Sequence, residues 1–232
     1  MISQIQIFVF FYHQMNHPQH KQHKKLLVTI EGNIGGGKST MINLLRKEYP
    51  DFVIIDEPVG VWTSMVDENG KNLLELFYTD KQRWSYTFQN AAFITRYLSA
   101  FEALNKPVKE DTIYISERGV LTDRYVFASM LKDSKYLNEI EWQLYTKWFD
   151  HFSSLIDINA LVYITTKGEI CSERIKKRGR IGEEGIPQEY LNELDEYHER
   201  WLTSTTLPVL RVTSEPENVH LIALFVKKLL VE

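Results

Sequence analysis

Leu26-Leu27-Val28-Thr29-Ile30-Glu31-Gly32-Asn33-Ile34-Gly35-Gly36-Gly37-Lys38-Ser39-Thr40 (LLVTIEGNIGGGKST, residues 26–40) decides how the rest of the chain is read. Leu26 to Ile30 is a short apolar run that stops at a glycine-rich turn, the pattern of a buried parallel strand. Gly32, Gly37, Lys38 and Ser39 then fit the spacing G-x-x-x-x-G-K-[ST]. A triphosphate carries several charges, so backbone N–H groups must converge on it, and glycine lets the chain turn tightly enough. A helix opening at Thr40 would add its N-terminal amides and the positive end of its dipole. Residues 32–40, namely Gly32, Asn33, Ile34, Gly35, Gly36, Gly37, Lys38, Ser39 and Thr40, are therefore expected to bind ATP. Lys38 is expected at the β and γ oxygens, and the Ser39 hydroxyl on Mg²⁺.

Outward from the loop, strands and helices alternate. Phe52–Ile55, Thr112–Ser116, Ala160–Ile164 and Val209–Val212 read as further strands, the first of these as buried. Helices are expected over Thr40–Glu48, then Leu73–Leu104 with an interruption near Thr79-Asp80, Leu121–Leu131 and Glu139–Phe152. A basic helix near Glu169–Lys177, one ending about Leu202 and a last one over Val219–Val231 complete the set. The alternation predicts an α/β fold with a five-stranded parallel sheet covered by helices on both faces.

The chain has 232 residues, 44% hydrophobic and 25% charged, with a net charge of −4. The acidic balance argues against a general nucleic-acid binder. Cys171 is the only cysteine, so an internal disulfide is impossible and a reducing, cytoplasmic setting suits the chain. No apolar run reaches the ~18 residues of a membrane span. Residues 1–25 contain the apolar stretch Ile5–Tyr12 and a polar, histidine-bearing stretch. They lack the basic leader of a signal peptide and the arginines of a mitochondrial one, and read as an extension before a single domain over 26–232.

Glu57 follows the second strand and Glu117-Arg118 the third, at the strand ends where ligands of open parallel sheets gather. These residues bring a family into view. The chain resembles the deoxyribonucleoside kinases of the deoxycytidine and deoxyguanosine kinase group. The resemblance runs through EGNIGGGKST (31–40), DEPVGVW (56–62), WSYTFQNAAFITR (84–96), SERGVLTDRYVFA (116–128), ERIKKRGRIGEEGIPQEYL (173–191) and HERWL (198–202).

The resemblance implies a P-loop kinase fold with a lid at about 174–187. It also implies transfer of the γ-phosphoryl group of ATP to a deoxynucleoside 5′-hydroxyl. By it, Glu57 is the general base, Glu117 lies near Mg²⁺, and Arg118 lies near the 5′-oxygen and the moving phosphoryl group. Gln89 pairs with the base edge, Tyr78 and Glu183 hold the 3′-hydroxyl, and Trp62, Phe88, Phe93 and Phe127 pack around the base. Arg174, Arg178 and Arg180 close over the phosphates, Arg178 foremost. The family's serine after the arginine is here Gly119, which removes a hydroxyl but no charge.

The resemblance at Arg96 and Asp123 favours deoxycytidine, deoxyadenosine or deoxyguanosine over thymidine, because a fixed pair presents a carboxylate to an exocyclic amine and crowds the thymine methyl. It further implies a homodimer formed through helices, with the aromatic stretch Trp142–Phe152 a candidate surface. Three other readings compete: a thymidine or broad-range kinase, a nucleoside monophosphate kinase, and a non-catalytic nucleotide switch. The last would leave Glu57, Gln89 and Arg118 without a purpose.

Overall fold

A computed structural model describes residues 23–183 and 185–231; the expected extension lies almost wholly outside this range. β1 (Lys25–Gly32) begins one residue earlier than its apolar run suggests. The ammonium of Lys25 reaches the carbonyls of Leu104 and Lys106, and that of Lys24 the carbonyls of Leu229 and Leu230. Both lysines thereby fasten the strand to the ends of helices from opposite faces of the sheet.

After β1 come α1 (Lys38–Glu48), β2 (Val53–Ile55), α2 (Val59–Ser64), α3 (Leu73–Thr79) and α4 (Lys81–Leu104). β3 (Thr112–Glu117) follows, then a helical run α5 over 120–133, α6 (Glu139–Ser153), β4 (Ala160–Thr165) and α7 (Gly168–Arg178). The chain closes with α8 (Gln188–Ser204), β5 (Val209–Thr213) and α9 (Asn218–Val231). All strands are parallel, in the order β2-β3-β1-β4-β5. The five-stranded, helix-flanked sheet expected from the sequence is the one observed.

Period-two alternation along β1 splits the core. Leu26, Val28 and Ile30 pack with Met41 and Leu45 of α1 and Ile222 and Val226 of α9. Leu27 faces the other way, into a core built by Phe93 and Tyr97 of α4 with Tyr145 and Phe149 of α6. The interruption at Asp80 is a double boundary. Its φ of −143° breaks the helix, and its carboxylate caps α4 by accepting from Arg83 N–H. Asn138 caps α6 in a box closed by Glu141.

Two expectations need correction. β2 is an edge strand, so Val53 is exposed and only Ile55 is buried; a short apolar run cannot distinguish a central strand from an edge. The expected helix Leu121–Leu131 is not regular. Its middle, Asp123–Ala128, is π-helical, between a single turn at Val120–Thr122 and an α-helical end at Ser129–Asp133. Such wide turns recur at functional sites because they re-aim side chains.

Candidate active site

The C-terminal ends of β1, β2 and β3 open into a cavity of about 460 Å³, where the phosphate loop meets α4, α5, the end of α7 and the segment after it. Ile34 to Thr40 line one end. Gly35 and Gly37 have φ of 73° and 93°, the left-handed region that side chains avoid. A Cβ on Gly35 would sit 2.5 Å from the Cys171 carbonyl oxygen, so the loop packs against α7 only as glycine. Lys38 is buried, and its ammonium donates to the carbonyls of Gly32 and Asn33 at 3.2 and 2.8 Å. Burial first, and Arg118 second, lower its pKa to about 7 against the opposing carboxylates.

Gly32 and Asn33 do not line the cavity. Gly32 ends the strand, and the Asn33 side chain is spent on structure. It accepts from Ile34 N–H and donates to the Leu191 carbonyl, tying the loop to α8.

Beside the loop, the Ser39 hydroxyl donates to Glu117 Oε1 at 2.7 Å. A hydroxyl and a carboxylate this close form a hard oxygen pair suited to Mg²⁺, which binds through few protein oxygens and completes its shell with phosphate and water.

Two buried arginines organise the centre. Arg96 donates to Glu57 at 2.8 Å and also binds Asp123, while Arg118 Nε lies 3.3 Å from the same Glu57 oxygen. Burial alone would raise the Glu57 carboxyl, but Arg118, Arg96 and Lys38 overcome it and hold the pKa at about 2. Asp123 goes the other way. Burial raises it to about 6, outweighing the attraction of Arg96, and the neighbouring Glu57 charge adds to the rise. Arg118 Nη1, Arg96 Nε and Asp123 Oδ2 have no hydrogen-bond partner among the described residues. Arg118 also has a φ of 62°, a conformation that costs a non-glycine residue about 1–3 kcal/mol and persists only where its surroundings enforce it.

The far end of the cavity is aromatic. Trp62 meets Phe88 edge-on at 5.5 Å between ring centres, with Arg96 5.2 Å from the Trp62 ring. Phe127 lies under Arg118 at 4.9 Å. Gln89, Tyr78, Phe88 and Phe127 all line the space. Asp123 and Phe127 both reach it from the π-helical part of α5. The C-terminal half of α7 and the segment after it contribute Arg174, Arg178, Arg180 and Glu183. Glu183 is buried and binds both Arg178 and Arg180, the latter at 3.0 Å.

Of the residues expected around the base, Phe93 is misplaced. It is fully buried in the core, 5.7 Å from Phe149 and 5.9 Å from Tyr145. It sits one helical turn after Gln89, but on the side of α4 facing α6. Leu74 and Ala92, not singled out in the sequence, do line the cavity. Small and aliphatic residues carry no chemical signature, and only their register on α3 and α4 could have found them.

A loop that gathers phosphate, facing an aromatic slot with an amide and a charged pair, defines a P-loop phosphotransferase acting on a small acceptor. Comparison with known proteins narrows the class. The deoxynucleoside kinase family model matches residues 28–224. Human deoxycytidine kinase is 38% identical over 198 residues, covering 78% of this chain and 76% of its own. Chicken deoxycytidine kinase 2 is 38% identical over 200 residues, 78% and 76% of the two chains. The mitochondrial deoxyguanosine kinase of Xenopus laevis is 34% identical over 198 residues, 78% and 75%. The chain belongs to the deoxynucleoside kinase family and is an ATP-dependent deoxynucleoside kinase.

Proposed function

We propose that this kinase prefers deoxycytidine, deoxyadenosine or deoxyguanosine to thymidine. The observation that carries this reading is the buried Arg96 bridging Glu57 and Asp123, with Asp123 Oδ2 left over at the base end of the cavity. An unpartnered buried acceptor favours a base that brings an exocyclic N–H, and a site of fixed polar groups rejects ligands that leave them unpaired. Three relatives bearing deoxycytidine or deoxyguanosine kinase names agree with it.

In the reaction we infer, ATP lies on residues 34–40 with Lys38 at its β and γ oxygens. Gln89 reads the base, Phe88 and Phe127 flank it, and Tyr78 and Glu183 hold the sugar 3′-hydroxyl. The 5′-hydroxyl then faces Glu57. Held ionised, Glu57 accepts the hydroxyl proton late, as the bond to phosphorus forms; a loose phosphoryl transfer asks little of the base beyond position. Arg118 and the lid arginines Arg174, Arg178 and Arg180 balance the charge spread over the moving group. Mg²⁺, held by Ser39 and Glu117, would neutralise phosphate charge when bound.

The proposed assembly is a homodimer and the proposed compartment the cytoplasm. Among the described residues no helix is long and apolar enough to cross a membrane. Turnover of the four natural deoxynucleosides at fixed ATP tests the specificity. Thymidine handled as fast as deoxycytidine would overturn it.

A further inference from the structure

We propose that Glu31 is a positioning residue that holds Arg118 in its working conformation from the opposite side of the backbone. The proposal rests on the reading of Arg118 as the group that meets the transferred phosphoryl. Glu31 is fully buried and does not line the cavity. It stands in β1 directly before Gly32, where the phosphate loop begins. Strand alternation turns Leu27, Thr29 and Glu31 to one face; Leu27 enters the apolar core, whereas Thr29 and Glu31, at the site end, meet the turn into α5.

Three donors converge on the carboxylate. Thr29 Oγ1 donates to Oε1 at 2.7 Å, and the Gly119 backbone N–H donates to the same oxygen at 3.0 Å. The Thr122 hydroxyl donates to Oε2. A buried carboxylate is tolerable when donors surround it, and the same bonds fix whatever carries them.

What they fix is the peptide unit after Arg118. That residue has a φ of 62°, which its side chain disfavours. Its N–H is tied to the Ile30 carbonyl at 3.1 Å, and its carbonyl accepts from Ser116 Oγ at 2.7 Å. Glu31 supplies the third restraint, on the next N–H. Gly119 lets it come close, since a Cβ there would lie 2.8 Å from Thr29 Cγ2. One carboxylate therefore couples the base of the phosphate loop to the angle at which the Arg118 guanidinium enters the cavity.

Steady-state kinetics of Glu31→Ala and Glu31→Gln, alone and combined with Arg118→Ala, test the idea. Glu31→Ala is expected to lower kcat about 10- to 100-fold with each KM within about threefold, the signature of a displaced charge clamp. Glu31→Gln keeps an acceptor for Gly119 N–H and should recover most of that loss. In the Arg118→Ala background, Glu31→Ala should lower kcat by less than about twofold, because the two residues act as one unit.

Parental kcat in Glu31→Ala, or equal losses in both backgrounds, would overturn the role of Glu31. Parental turnover in Arg118→Ala alone would instead overturn the reading of Arg118. If Glu31→Ala does not fold, Thr122→Val takes its place. It should lower kcat about 3- to 10-fold at unchanged KM, with Thr122→Ser restoring it, and parental kcat in Thr122→Val overturns the proposal.

Discussion

Glu57 and Asp123 share Arg96, yet they titrate in opposite directions. Glu57, ringed by Arg118, Arg96 and Lys38, keeps its charge far below neutral pH. Glu57→Gln is expected to lower kcat by about 10²-fold or more, with nucleoside affinity by calorimetry changed only a few-fold. Asp123, raised by burial to about 6, is ionised at neutral pH and takes up its proton just below it. A protonated carboxyl loses acceptor capacity. The KM for deoxycytidine should therefore stay flat above pH 7 and climb as pH falls through about 6, a climb absent in Asp123→Asn. The folding contribution of Asp123 has the matching sign. Its raised pKa stabilises the native state fully below the ordinary value of 3.8, and that stabilisation is lost as pH rises through about 6. Replacing Arg96 and Asp123 together by apolar and small residues should raise thymidine turnover relative to deoxycytidine, measured by competing the two.

At the scale of elements, the junction of β1 with α5 is tightly fitted. At Gly119 the space a side chain would need is filled by Thr29 Cγ2 and Ile158 Cδ1. Gly119→Ser should cost about 1–3 kcal/mol in urea unfolding, and Thr29→Ser in the same chain should recover most of it. That compensation was not readable from the sequence, because Thr29 and Gly119 meet only once β1 and β3 pair. The phosphate loop was readable, since its glycines, lysine and serine must be contiguous to work. The five strands and the break at Asp80 were readable for similar reasons: apolar runs, glycine turns and a capping aspartate are local signals. The edge position of β2, the short helix α2 and the π-helical turn of α5 depend on packing partners far along the chain. Phe93 was misread because an aromatic one turn from Gln89 fits a slot as well as a core until the direction of α6 is known. Glu31 carries a local signal of its own, a lone carboxylate ending the apolar strand LLVTIEG.

Across the whole molecule, α4 and α6 pack together and still leave apolar stripes outside. Ile94, Leu98 and Phe101 are exposed on α4, and Ile140, Leu144 and Trp148 on α6. Stripes of this size at helical spacing suit burial against a second copy. Light scattering should give twice the chain mass, and Leu98→Glu with Trp148→Glu should halve it. A wild-type chain that stays monomeric at micromolar concentration would overturn the dimer. The sheet order has another consequence. β1 comes first among the strands yet lies in the middle, between β3 and β4. Leu27 bonds to Asn159, 132 residues further on. On a ribosome adding about 5–20 residues per second, one edge of the strand beneath the phosphate loop stays unpaired for roughly ten seconds before its second neighbour exists. Nascent chains halted before β4 should therefore bind chaperones through LLVTI and fail to retain ATP. For this enzyme, the donor site is among the last parts of the newborn protein to mature.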